Sequence, residues 1–330
     1  MILFANIVAV KPSPQISERI IIVIDSYHDP VLLNFTVAIQ ALNVSLNGLV
    51  DFFYSNNTIN SSTLSGVTAL IIPPFNKTFT DYELEVLKRY VFNGGILILM
   101  ALDYDYNRRF NMNPVLFNDL LSAIPLKENP RLNYTMGGIG LRCIDPLSND
   151  SFIHIDSSEY FTEPLKSNYL QNKEYSLILE PTIITVDTSD INEIPAIIPP
   201  AWTYCISGNG TILYFESGAT LFVIGKYGHG YVVVFGFAIS LSDLENPIYK
   251  KPWIELGNNK EFWIDVLSSI IEKPEEKNSI IQPTYIVMTL IGIGILLIAI
   301  ATIVSSKRKP PEKRREISIS EALKKIRKKR

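Results

Sequence analysis

Apolar and polar positions alternate with two different periods along this chain, and the change of period divides it. Arg19-Ile-Ile-Ile-Val-Ile-Asp25 is an unbroken apolar run between charges, the pattern of a strand covered on both faces. Asp29-Pro30 reads as an N-cap followed by proline at the first helical position. Leu32, Leu33, Val37, Ala38 and Leu42 then predict a helix to about Asn43. Residues 49–54 and 67–72 predict two further strands, separated by a polar loop over 56–65. Thr80-Asp-Tyr-Glu83 is a capping box, and the helix behind it closes at Asn93-Gly94-Gly95. A fourth strand over 96–102 and a helix from Asn113-Pro114 to about Ala123 complete the series. Strand–helix alternation over residues 18–124 predicts an α/β fold built on a doubly wound, flavodoxin-like parallel sheet.

After Pro125 short strand-like runs dominate, at 151–155, 176–179, 182–186, 203–206, 211–215, 219–226 and 231–238. Ser207-Gly-Asn-Gly210 and Tyr227-Gly-His-Gly230 are tight turns that predict two hairpins. An amphipathic helix over 259–273 turns Phe262, Trp263, Val266, Leu267 and Ile270 to one side. Residues 125–272 therefore read as a β-rich continuation of the same ectodomain, and 273–283 as a charged linker.

Beyond the linker the pattern loses its polar face altogether. No charged residue lies between Lys277 and Lys307, and residues 284–306 have the length of one transmembrane helix. Charge supports this. Residues 1–306 carry 18 Lys+Arg against 30 Asp+Glu, a net of −12, whereas 307–330 carry 12 against 3, a net of +9. The positive-inside rule then places the tail in the cytoplasm and the large domain outside. Asn-x-Ser/Thr sequons occur at Asn34, Asn43, Asn56, Asn60, Asn76, Asn133, Asn149 and Asn209, all before the span, where chance gives about three. Residues 1–17 begin with an apolar segment that lacks a basic leader and reads as a signal remnant or a minimal signal.

Two cysteines, Cys143 and Cys205, leave one disulfide open, worth on the order of 4 kcal/mol in the chain-entropy model. Buried free thiols are the alternative. They cannot make a Cys-only zinc site, and no phosphate loop, His-Glu-x-x-His or Gly-x-Ser-x-Gly motif is present.

The stretch 67–103, with its capping-box helix, Gly94-Gly95 and apolar strand, resembles class I glutamine-amidotransferase-like domains, above all their degenerate membrane-anchored relatives. Gly225-Lys-Tyr-Gly-His-Gly-Tyr-Val-Val-Val-Phe-Gly236 is similar to the turn and strand near the end of such domains. The resemblance implies a nucleophilic cysteine just after the strand matching 96–102, but this chain has Leu99-Met100-Ala101-Leu102-Asp103 there. His229 reads as an exposed turn residue. The plan of exported domain, one span and basic tail also resembles the amidotransferase-like, non-catalytic subunit of oligosaccharyltransferase.

In a doubly wound sheet ligands bind beyond the carboxyl ends of the strands. That edge offers Asp25, His28, Asp103 and Asp105, with Asp25, His28 and Asp103 the set for a metal-dependent hydrolase. In the tail, Ser318-Ile-Ser-Glu321 starts a helix carrying Lys324, Lys325, Arg327 and Lys328, which with Lys307, Arg308 and Lys309 suit an anionic inner leaflet. The reading favoured is a single-span, non-enzymatic membrane protein that binds surface proteins or glycans, with no cofactor and no nucleic acid. An accessory subunit of a glycosylation or transport complex is the first alternative, and the hydrolase the second.

Overall fold

The computed structural model describes residues 19–31, 34–102, 114–132, 142–144, 153–188, 190–200, 204–206, 212–214 and 218–272, all within one compact unit. The predicted span, linker and basic tail lie outside these residues. Among the described residues no helix is long and apolar enough to cross a membrane.

Strands β1 (Ile20–Asp25), β2 (Val50–Ser55), β3 (Ala69–Ile72) and β4 (Ile96–Met100) alternate with helices α1 (Thr36–Ser45) and α2 (Asp81–Phe92). Helix α3 (Pro114–Ala123) follows. The second half adds the short strands β5 (Arg131–Leu132), β6 (Arg142–Ile144) and β7 (Ile153–Asp156), then helices α4 (Ser157–Tyr160) and α5 (Glu163–Tyr169). It continues with β8 (Ser176–Leu179), β9 (Ile184–Thr185), β10 (Ala196–Ile197), β11 (Tyr204–Ile206), β12 (Ile212–Tyr214) and β13 (Ala219–Thr220). The hairpin β14 (Phe222–Tyr227) and β15 (Gly230–Phe235) precedes the final described helix, α6 (Asn259–Glu272).

The central sheet has seven strands in the order β10-β14-β15-β4-β3-β1-β2. β2, β1, β3, β4 and β15 run parallel, and β14 and β10 are antiparallel additions. The molecule is thus a mixed α/β structure around a largely parallel sheet, with antiparallel sheets β12-β11-β6 and β13-β9-β5 and the pair β7-β8 beside it. The strands of both predicted hairpins pair antiparallel, and the turn of the first, over 207–210, lies outside the described residues. One finding was invisible to pattern alone. β15, from the β-rich half, sits in the middle of the sheet against β4, so the two halves share one core.

Apolar continuity explains the central strands. All five residues of β4 and all four of β3 are buried, as in a sheet covered on both faces. The crossovers β1–α1–β2 and β3–α2–β4 run in opposite directions along the sheet, so right-handed connections put α1 and α2 on opposite faces. On the α1 face, Trp263 of α6 donates its indole N–H to the Ala38 carbonyl at 3.1 Å. Asn259 at the start of α6 is fully buried. Its amide donates to the carbonyls of Ile178, Ser240 and Trp253 and accepts the Ile178 N–H, tying four segments together.

The start of α1 departs from the sequence expectation. Asp29-Pro30 does not cap it, because Asp29 has φ +53° and Pro30 bridges to Phe75. The helix begins six residues later, at Thr36. Its free N–H groups at Thr36 and Val37 are met by the Asp243 carboxylate, at 2.6 and 3.0 Å. α2 begins at the predicted capping box, with Thr80 and Glu83 bonded reciprocally.

Candidate functional site

Strand order reverses between β1 and β3, which is where a parallel sheet of this kind opens a crevice at its carboxyl edge. The residues leaving those strands are Asp25-Ser26-Tyr27-His28 and Pro73-Pro74-Phe75. In this chain the two exits zip together. Val31 N–H donates to Pro74 O at 2.8 Å, Asn76 N–H to Asp29 O at 3.2 Å, and Lys77 N–H to His28 O at 3.1 Å. Keeping that antiparallel contact turns Asp29 into the left-handed region, which a short polar residue tolerates.

Beneath the zipper the side chains form one buried cluster. Asp25 Oδ1 accepts the Tyr27 N–H at 3.1 Å, and Oδ2 lies 2.7 Å from His28 Nδ1. With the carboxylate accepting, the shared hydrogen belongs to the Nδ1-protonated form of the ring. The His28 ring stacks on Phe79 at 3.7 Å between centroids, with Phe75 edge-on to Phe79 at 5.0 Å. The other His28 nitrogen, Nε2, stands 3.3 Å from Glu83 Oε1, within electrostatic reach but not aligned as a hydrogen bond. Asp25, His28 and Glu83 have 2%, 0% and 3% of their surface exposed.

Glu83 is the member of this cluster that pattern reading identified only as a helix cap. Its Oε2 accepts the Thr80 N–H and hydroxyl at 2.9 and 2.8 Å, and Oε1 accepts the Ile59 N–H at 3.1 Å. Burial pushes its carboxyl up, but the Thr80 donors, the neighbouring His28 and the Ile59 N–H outweigh that and hold it below the usual carboxylate range. The signal available in the sequence was the capping box. Its distance of 58 positions from Asp25 gave no hint that the cap would face His28.

An Asp–His pair oriented this way is chemically the rear half of a general-base relay. Here the nitrogen that would serve a substrate faces Glu83 inside the protein, and the cluster's contacts join β1, α2 and the loop at Ile59. Asp103 and Asp105 lie outside the described residues. Among the described residues no three His, Cys, Asp or Glu side chains are placed to hold a metal ion.

No family model matches the chain, and no curated protein matches it. Among solved structures, the N-terminal domain of mmIFT52 is similar with a TM-score of 0.52 at 16% identity, over 77% of this chain and 99% of that domain. The likeness is one of fold. A ThuA-like protein from Parabacteroides merdae ATCC 43184 superimposes with a TM-score of 0.38 at 11% identity, over 77% of this chain and 90% of that one, too loosely to carry an argument.

The remaining candidates separate in space. His229 is exposed in the β14–β15 turn, its N–H bonded to Phe92 O at 2.9 Å. Because Tyr231 pairs with Ile96 at the start of β4, that turn lies at the amino edge of the sheet, opposite Asp25. A depression of about 510 Å³ lined by Ser61, Val67, Arg89, Tyr90 and Gly95 is also at the amino edge, away from the buried cluster. The residues after β4, Ala101 and Leu102, are apolar and fully buried. Of the sequon asparagines, Asn34 and Asn56 are exposed, while Asn43, Asn60 and Asn76 are half-buried. Asn60 is already engaged, its Nδ2 donating to Thr58 O at 3.2 Å. Asn133, Asn149 and Asn209 lie outside the described residues, as do the tail lysines and arginines.

Proposed function

We propose that this chain is a single-span membrane protein whose large domain is a degenerate, doubly wound amidotransferase-like module, held outside the cytoplasm and used for binding or assembly. The observation that carries the non-enzymatic part is the state of the sheet's carboxyl edge. The strand exits that would frame a ligand crevice are zipped over a buried His28–Phe79 stack. The position of an amidotransferase nucleophile follows two buried apolar residues and is occupied by Asp103. The membrane and orientation parts rest on the uncharged run 284–306 and on the opposite charges of its two flanks. The basic tail then contacts the inner leaflet or a cytoplasmic subunit.

The hydrolase alternative has weaker support, because Asp25 and His28 are bonded to each other rather than splayed towards a common ion. Placement is tested on sealed membranes bearing the full chain. External protease should remove the large domain and leave a protected fragment containing the span and tail. A fully protected chain, or one extracted by alkaline carbonate, would sink the reading. Glycan occupancy offers a parallel check, with Asn34→Gln and Asn56→Gln each expected to remove one glycan's increment in gel mobility.

A further inference from the structure

We infer that Cys143 and Cys205 form an intramolecular disulfide that fastens β6 to the β11–β12 hairpin. The observation is the register of the three-stranded sheet β12-β11-β6. Cys205 stands directly opposite Cys143, between the flanking pairs Tyr204–Ile144 and Ile206–Arg142. Each cysteine is the middle residue of a three-residue strand, and they are the chain's two cysteines, 62 positions apart. Directly opposed residues in an antiparallel pair share a face, with Cα atoms about 4.5 or 5.5 Å apart. Both spacings fall in the range of about 4.4–6.8 Å that disulfides span. A slip of one residue would put the two positions on opposite faces of the pair, so this opposition of cysteine positions is a specific outcome of the register.

The sheet also has reason to need a covalent tie. Its three strands have three residues each, and among the described residues β6 pairs with β11 alone. Ladders this short are marginal unless something else holds them. A bond across the central pair closes a loop containing β7 to β10, α4 and α5, and removes conformations from the unfolded chain. The chemistry balances by exchange. One thiolate attacks the disulfide of an oxidised dithiol protein or oxidised glutathione, giving a mixed disulfide and releasing one thiol. The second thiolate displaces the remaining sulfur. Two S–H bonds of the chain are lost, one S–S bond forms, and the donor disulfide leaves as two thiols carrying both electrons.

The bond rests on the proposed export of the domain, since disulfides persist in oxidising compartments. The experiment therefore has two readouts on the same membranes. Full-length chain is lysed in N-ethylmaleimide, denatured and digested without reductant, and mass spectrometry is used to seek a peptide pair joining Cys143 to Cys205. That pair is expected, with C143S and C205S each exposing one maleimide-reactive thiol. Maleimide on both wild-type cysteines, or a link between two chains, overturns the inference. External protease on parallel membranes separates the causes. Free thiols on an accessible domain defeat the disulfide alone, and free thiols on a protected domain defeat export as well. Reductant should lower the wild-type melting temperature by about 10 °C and leave C143S/C205S unmoved. A wild type insensitive to reductant also overturns the inference.

Discussion

Glu83 accepts hydrogens from Thr80 and Ile59 while facing His28, so one buried carboxylate holds three segments. Glu83→Ala strands these donors and removes the carboxylate facing His28 Nε2, and should cost about 3 kcal/mol in urea unfolding. The group also sets an acid limb. Its folded pKa is depressed, so its stabilisation is complete above the unfolded carboxylate value of about 4.3 and is lost as pH falls through the folded value. Glu83→Gln should flatten stability across that window, and an unchanged pH profile would refute the assignment. Asn259→Ala, which removes three buried donor contacts and one acceptor contact, should cost about 2–4 kcal/mol by the same measurement. At this scale the sequence was half legible. Asp25 and His28 sit three apart at a strand end, and their meeting follows from local geometry. Glu83 and Asn259 act through crossings of distant segments, which no local pattern encodes.

Elements were legible wherever periodicity and local chemistry agreed, as in β1, α2 and the β14–β15 hairpin. They were misread where a distant group decided the boundary. α1 starts at Thr36 because Asp243, 207 positions away, supplies its N-terminal acceptor. Asp243→Ala should therefore destabilise the fold by about 1 kcal/mol and weaken hydrogen-exchange protection in the first turn of α1. The Gly-x-Gly turn is held by close backbone approach at its second glycine, not by the histidine between the two. A Cβ at Gly230 would stand 2.2 Å from the Gly95 carbonyl oxygen and 2.3 Å from that of Val91. Gly230→Ala should thus lose well over 2 kcal/mol or fail to fold, whereas His229→Ala, at an exposed site, should stay within about 0.5 kcal/mol. Equal effects of the two substitutions would contradict this division.

For the whole molecule, alternation of strand and helix announced the parallel sheet, and the switch to short strands announced its antiparallel companions. The sequence held no sign that β15 would be central, because a continuous apolar run looks the same at any interior position of a sheet. That placement has a consequence for how the chain is made. Until residues 230–235 emerge, the all-apolar ILILM of β4 has no neighbour on one side and presents an open edge to other chains. The first 124 residues are therefore not a self-sufficient folding unit, although their pattern looks complete. Expressed alone, they should associate through β4 and sediment as oligomers. A chain carried through to residue 272 should stay monodisperse, since its own late-arriving strand occupies that edge before a stranger can.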